Sequence, residues 1–307
     1  MAISQLSLTD FRKLKSTTLD FDRRCNLVSG DNGSGKTSLL ESIYVLCQAQ
    51  SFRTHQLKQC IAHDKSGFLL FGRFEGYKAG VARHKDKLEI RINGETIKRR
   101  SELVKRSPIN IVNADSFVLI DGAPARRRAF LDLCLFHVEP DYAENWRLFQ
   151  HALKQRNRLL KSRQDLKLLD YWDLHLVTPS NELARMREHY TGKLQALIEQ
   201  QFQMVLEDIP LDIEYRAGWR KGETLAQSLA RQREVDIRFG FTGSGIHRDD
   251  LELMTRGRKV GEVLSRGQSK RVCLVLLLAV LKLVNEASQN PVILLIDDLH
   301  SELDSVA

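Results

Sequence analysis

GDNGSGKT, residues 30–37, fits the spacing G-x-x-x-x-G-K-[ST]. That spacing has physical content. Glycines let the chain wrap tightly with its N–H groups turned inward, and a helix that follows adds unpaired N–H groups and its dipole. Such a loop cradles phosphates. Gly30, Asp31, Asn32, Gly33, Ser34 and Gly35 form the cradle. Lys36 is spaced to reach the β- and γ-phosphates as a catalytic cation, and the Thr37 hydroxyl to ligate Mg²⁺. The flanks agree. CNLV (25–28) reads as a brief apolar strand leading in, and SLLESIYVLCQA (38–49) puts Leu39, Leu40, Ile43, Leu46 and Cys47 on one helical face. Strand, loop and helix predict an α/β core that binds ATP with Mg²⁺.

Working outward, the loop needs an acidic partner, and VILLIDD (292–298) supplies one. Four consecutive large apolar residues, Ile293 to Ile296, predict a strand buried on both faces. It delivers Asp297 and Asp298 at its carboxyl end, where ligands bind in open α/β sheets. Asp297 is read as the Mg²⁺ partner, through water. Asp298 is read as the general base for an attacking water.

A second anion-facing helix start lies in EVLSRGQSKR (262–271), just before the apolar run VCLVLLLAVLKLV. SELD, with Ser301 and Asp304, follows the acidic strand. Phosphate loop, long interval, LSRGQ, apolar strand ending in DD, then SELD: this order resembles the ABC-type ATPases. The resemblance implies that Ser265, Arg266, Gly267 and Gln268 contact the γ-phosphate held by a second subunit. It also implies that Ser301 and Asp304 belong to a D-loop crossing that interface. The hydroxyl of Ser265 and the N–H of Gly267 are suitable donors, aided by the helix dipole. The chain then carries two half-sites, completed by an ATP-dependent head-to-tail homodimer.

About 230 residues separate the phosphate loop from LSRGQ. FLLFGRF and KLEIRI alternate like strands, and Asn93-Gly94 signals a hairpin. PINIV (108–112) reads as a buried strand. From about residue 139 the spacing turns helical, with Trp146, Phe149, Leu153, Leu159 and Leu160. TPSN (178–181) reads as a break before a second long helix. LDIEY (211–215) and VDIRFGF (235–241) read as strands, the second by its alternation of Val235, Ile237, Phe239 and Phe241. The predicted architecture is an ATPase head with an antiparallel β subdomain, residues 1–115, an inserted helical arm, 116–208, and the rest of the head, 209–307.

The chain has 307 residues, a formal net charge of +8 and 42% hydrophobic residues. Its basic residues cluster in KRRSELVKR (98–106), ARRR (125–128) and KQRNRLLKSR (154–163), which favours a polyanionic partner. Arg126, Arg127 and Arg128 either bind DNA or form a structural cluster pairing with Asp121 or Asp132. Lys154, Arg156, Arg158, Lys161 and Arg163 either contact DNA phosphates or line a solvated helix face. The five cysteines form no C-x-x-C pair and read as buried thiols of a reducing compartment. The start MAISQLSLTDFRKL is unlike a signal peptide, and no apolar run reaches the ~20 residues of a membrane span. A soluble cytoplasmic protein is expected.

Within the ABC-type ATPases, the long interval is similar to the chromosome-maintenance and DNA-repair branch that contains the SMC and RecF proteins. Two helices of about 30 residues reach only about 45 Å at 1.5 Å per residue, too short for SMC coiled-coil arms. The chain therefore resembles the RecF family, through ISQLSLTDFRKL, GDNGSGKTSLLESIYVL, DGAPARRRAFLDLCLF, LKQRNRLLK, GIHRDDLEL, LSRGQSKR and LIDDLHSELD. The resemblance implies dimerisation on ATP, binding to duplex DNA near single-strand gaps, weak ATP hydrolysis, and work with RecR and RecO in loading RecA. It also implies that Arg12 approaches the phosphates. The sequence departs from the pattern in three ways. Asp298 stands where most ABC ATPases have Glu, which fits slow hydrolysis. No glutamine marks a Q-loop, for which VNAD (112–115) is the nearest candidate. RecF-like chains continue past the SELD element, so a fragment or a shortened protein is expected. The competing readings are the ATPase subunit of another ABC machine, such as a transporter, and a hydrolysis-deficient nucleotide-binding scaffold.

Overall fold

A computed structural model describes residues 3–207, 209–288 and 291–297. Asp298, Ser301 and Asp304 therefore lie outside the described residues. Two compact units emerge. One holds the residues up to Ala114 together with those from Val284 onward; the other is Asp115–Leu283.

The first unit is built on six antiparallel strands in the order β2-β1-β3-β4-β5-β6. They are β1 (Ile3–Thr9), β2 (Thr17–Asp20), β3 (Gly67–Phe74), β4 (Tyr77–His84), β5 (Leu88–Ile92) and β6 (Glu95–Thr96). Alternation in β3 buries Phe68, Leu70 and Phe74 on one face. Asn93 and Gly94 both take positive φ, as the tight turn between β5 and β6 demands. Helix α1 (Lys36–Gln48) lays Ile43, Val45, Leu46 and Cys47 on this sheet. Gly72 of β3 admits it closely: a Cβ there would stand 2.5 Å from the Leu46 methyl. Each such fully buried apolar side chain contributes about 1.5–3 kcal/mol. Helix α2 (Arg100–Arg106) then leads into β7 (Ile109–Val112).

β7 pairs in parallel with β11 (Ile293–Ile296), matching Leu295 to Ile111 and Ile296 to Val112. The expectation of burial on both faces needs correction. Leu295 is buried but Ile296 is 40% exposed, because β7 is the sole strand pairing with β11 among the described residues. The expected strand at 25–28 is also absent. That segment pairs with no described strand, and Leu27 is 92% exposed.

The second unit contains short α3 (Val118–Asp121), α4 (Pro124–Val138), α5 (Tyr142–Ser162), α6 (Leu169–Gln201) and short α7 (Gln203–Leu206). Next come β8 (Asp212–Arg216), α8 (Leu225–Phe239), β9 (Asp250–Thr255), β10 (Arg258–Lys259), short α9 (Val260–Val263) and α10 (Arg266–Ala287) as far as Leu283. β8, β9 and β10 form an antiparallel sheet. Gln195 of α6 clamps β8, donating to the Leu211 carbonyl and accepting from the Ile213 N–H. Thus most of 209–283 packs with the helices, although the sequence reading grouped it with the head.

Two elements differ from expectation. TPSN does not break a helix: α6 runs 33 residues through Pro179. Leu176 and Leu183, one turn to either side, are fully buried. Packing of this face offsets the ~3 kcal/mol that an interior proline costs. VDIRFGF is no strand either. Its first five residues close α8, which starts in a capping box of Thr224 with Gln227 and ends at Gly240 in the left-handed conformation. The alternation is the accident of Asp236 facing inward while Val235 and Phe239 face out.

Candidate nucleotide site and its charged supports

The phosphate loop follows from three unusual backbone conformations. Gly30, Gly33 and Gly35 have φ of 153, 82 and 105. Gly35 caps α1, and a Cβ on it would meet the Leu14 methyl at 2.6 Å. Left-handed φ and close approach together leave glycine as the residue that fits. The Ser34 N–H closes the loop on the Asp31 carbonyl at 3.1 Å.

Lys36 curls back over this loop. Its Nζ donates to the Gly30 carbonyl at 2.7 Å and the Asp31 carbonyl at 3.0 Å. Its charge is thereby held within the cradle. Thr37 Oγ1 donates to Asp297 Oδ1 at 3.1 Å, joining residues 260 apart in sequence. The register of β11 on β7 aims this carboxylate, with the Asp297 N–H on the Val112 carbonyl at 2.9 Å. Two hard oxygens this close are the donor type Mg²⁺ takes, so Thr37 and Asp297, the latter through water, would hold the ion. VNAD begins at Val112, beside Asp297.

Arg12 is committed elsewhere. Its Nε and Nη2 clasp the two carboxylate oxygens of Glu41 on α1 at 2.9 and 2.6 Å, and Nη1 donates to the Gln59 carbonyl. Glu41 is fully buried and also receives Ser51 Oγ and Arg53. Burial alone would raise this carboxyl, but hydrogen bonds from Arg12 and Ser51 and the charges of Arg12 and Arg53 outweigh it, holding it below the usual range. Glu41, which no sequence motif marks, ties the segment after β1 to the helix of the phosphate loop.

The LSRGQ helix start is itself capped. Ser265 Oγ accepts from the Gln268 N–H at 3.3 Å, and Gln268 Oε1 accepts from the Ser265 N–H at 2.9 Å. This reciprocal pair is a capping box. Because the Ser265 oxygen accepts in it, the hydroxyl proton stays available to a ligand. Ser265 and Arg266 are exposed.

The basic candidates separate sharply by burial. Lys154, Arg158, Lys161 and Arg163 are exposed, and so is Arg126. Arg156 requires correction: it is fully buried and unable to meet DNA. It bonds Asp173 at 2.6 Å, Asp236 at 2.7 Å and Thr242 at 2.9 Å. Arg127 forks onto Asp250 with two 2.8 Å bonds, and Arg128 donates to the Asp249 carbonyl. Both serve the charge cluster, with partners on β9 and just before it rather than Asp121 or Asp132. Arg187, which the sequence did not single out, is the centre of that cluster. It is fully buried against Asp132, Asp249 and the Ile246 carbonyl. DGAPARRR and GIHRDD therefore meet around buried guanidinium groups.

Four cysteines are buried and Cys25 is exposed. Burial pushes Cys60, Cys134 and Cys273 up to about 12, so none is a thiolate nucleophile at neutral pH. Among the described residues no helix is long and apolar enough to cross a membrane.

This combination of phosphate loop, acidic strand, β subdomain and helical insertion defines an α/β ATPase head of the ABC type. The family model for the RecF/RecN/SMC N terminal domain matches residues 2–307. DNA replication and repair protein RecF of Hydrogenovibrio crunogenus is 37% identical over 99% of this chain and 86% of its own length. RecF of Stutzerimonas stutzeri is 39% identical over 99% of this chain and 84% of its own. A solved structure of the recombination mediator protein RecF with ATP superposes with a TM-score of 0.91 at 26% identity, covering 99% of this chain and 87% of that one. An SMC head bound to the C-winged helix domain of ScpA shares the fold, with a TM-score of 0.56 at 13% identity over 99% of this chain and 92% of that one. The chain belongs to the RecF family.

Proposed function

We propose that this chain is an ATP-gated DNA-binding protein of replication and recombinational repair. The observation that carries the reading is the 3.1 Å contact between Thr37 and Asp297 beside a lysine folded over its own glycine loop. Likeness to a RecF–ATP complex supports it.

The loop N–H groups and the start of α1 bind the phosphates. Lys36 exchanges its two carbonyl partners for phosphate oxygens. Thr37 and Asp297 would hold Mg²⁺, which would supply positive charge beside the bound phosphates. Asp298 orients and deprotonates the attacking water, and its short side chain accords with slow turnover. Ser265 Oγ and the Gly267 N–H donate to the γ-phosphate held by a second copy, across a dimer interface that includes Ser301 and Asp304. ATP thus favours the dimer, and hydrolysis releases it.

Duplex DNA near single-strand gaps is the polyanionic partner. Arg126, Lys154 and Arg158 remain on the exposed basic surface to meet it. RecR, acting with RecO, is the protein partner in loading RecA, and the cytoplasm is the compartment.

Nucleotide titration of wild type and Lys36→Ala, followed by DNA binding with ATP or ADP, tests the reading. Loss of nucleotide binding in the variant and ATP-dependent DNA binding in wild type are expected. DNA affinity equal in ATP, ADP and no nucleotide would overturn it.

A further inference from the structure

Two phenyl rings stand out on the second unit. Phe239, the last residue of α8, is 60% exposed, and Phe241, just past Gly240, is 44% exposed. Their centroids lie 6.0 Å apart with planes at 38°. A guanidinium lies over each ring: Arg238 over Phe239 at 5.1 Å and Arg248 over Phe241 at 5.3 Å.

The pair is held firmly from behind. The Thr242 N–H donates to Asn157 Oδ1 at 2.8 Å, the Gly243 N–H to Asp236 Oδ1 at 3.0 Å, and Arg163 Nη2 to the Arg238 carbonyl at 3.3 Å. Gly240 lies against Lys161, where an added Cβ would stand 3.5 Å from its side chain. These contacts set the rings beside the exposed C-terminal end of α5. Arg238, Arg248, Lys161 and Arg163 form no ion pair among the described residues. The patch therefore presents two aromatic faces within a cluster of uncompensated cations.

Phe239 and Phe241 leave about half of their surface in solvent, where it adds nothing to folding, so their rigid mounting calls for a ligand. Apolar rings ringed by cations suit a polyanion with flat apolar groups. A duplex buries its bases in the stack and offers mostly phosphates, whereas a single strand offers both. We propose that Phe239 and Phe241 form a stacking platform for unpaired bases of single-stranded DNA, with Lys161, Arg163, Arg238 and Arg248 taking the flanking phosphates. This deepens the DNA-binding reading above and rests on it. It assigns the single-stranded part of a gapped substrate to one site.

The test uses the full chain with ATP and anisotropy on three labelled probes: a blunt duplex, a gapped duplex, and a single strand carrying 2-aminopurine. The variants are Phe239→Ala/Phe241→Ala and Phe239→Leu/Phe241→Leu. The leucine pair keeps apolar area but removes stacking. Losing one stacked base corresponds to roughly 5- to 150-fold in affinity. Both variants are expected to lose that factor on gapped and single-stranded probes, to abolish 2-aminopurine quenching, and to leave blunt-duplex affinity unchanged. Unaltered gapped-DNA affinity in the alanine pair, or full retention by the leucine pair, would overturn the platform while leaving the DNA-binding reading intact. Equal loss on blunt and gapped duplex would also overturn it, as would altered self-association with unchanged DNA binding. A wild type that binds none of the probes would overturn both.

Discussion

Arg156→Met separates a structural guanidinium from a DNA-binding one. In the wild type Arg156 is fully buried and satisfies Asp173, Asp236 and Thr242. Asp236 is only 2% exposed. Methionine fills much of the volume but leaves that carboxylate buried without its counter-charge. Removing one partner of a buried pair costs about 3–5 kcal/mol. Asp236 keeps its bond from the Gly243 N–H, which favours the lower end. For a unit of this size each kcal/mol shifts Tm by about 2–4 °C, so a drop of about 6–15 °C is expected. Adding Asp236→Asn should recover part of it, since the stranded charge is the main cost. Lys154→Met and Arg158→Met, two residues to either side but exposed, should shift stability by no more than about 0.5 kcal/mol. Scanning calorimetry reads all four variants, and the salt dependence of DNA affinity reads the exposed pair. An Arg156→Met protein with wild-type Tm but weakened DNA binding would mean that this guanidinium meets DNA rather than Asp236.

Asp297→Asn keeps the shape of the Thr37 contact but removes the charge. Nucleotide affinity in Mg²⁺ should fall about 10- to 100-fold towards the value measured in EDTA, as titration with a fluorescent ATP analogue would report. His247 should make stability depend on pH. Desolvation, helped by Arg248, Arg128 and Arg156, lowers its pKa to about 4, while its Nε2–H donates to the Thr242 carbonyl. The unfolded chain takes up a proton near pH 6.5 that the folded chain refuses, so stability is complete above that pH and declines down to about 4. Urea unfolding should show about 2 kcal/mol less stability at pH 5 than at 7.5, and His247→Gln should remove that difference.

Much of the site could be read before the structure because phosphate chemistry fixes spacing. The fold brings Thr37 and Asp297 together although 260 residues separate them. Burial was harder to read where it depends on partners distant in sequence. Ile293–Ile296 looks like a central strand, yet one pairing strand leaves Ile296 exposed. The helical signals at 224–240 were present in Thr224, Gln227 and Gly240, but the alternation of Val235, Ile237, Phe239 and Phe241 masked them. Arg156 was legible too. Phe149, Ala152, Arg156 and Leu160 share the buried face of α5 by helical spacing. Charge alone suggested solvent, whereas Asp173 and Asp236 could be found only through the fold. Arg187 carries the same signal, at helical spacing from Leu183, Tyr190 and Leu194 on the buried face of α6, while its partners, from α4 and the segment leading into β9, could be found only through the fold.

In the proposed dimer, the site for the nucleotide held by Gly30–Thr37 is completed by Ser265 of a second copy. Sedimentation velocity on Lys36→Ala, Ser265→Ala and their equimolar mixture, each with ATP and Mg²⁺, tests it most directly. The mixture alone can assemble one intact site, from Lys36 of one protomer and Ser265 of its partner. Dimer in the mixture, with monomer in each variant alone, is the predicted result. A mixture that stays monomeric where wild type dimerises would contradict it, and so would weakened ATP binding by the Ser265→Ala monomer.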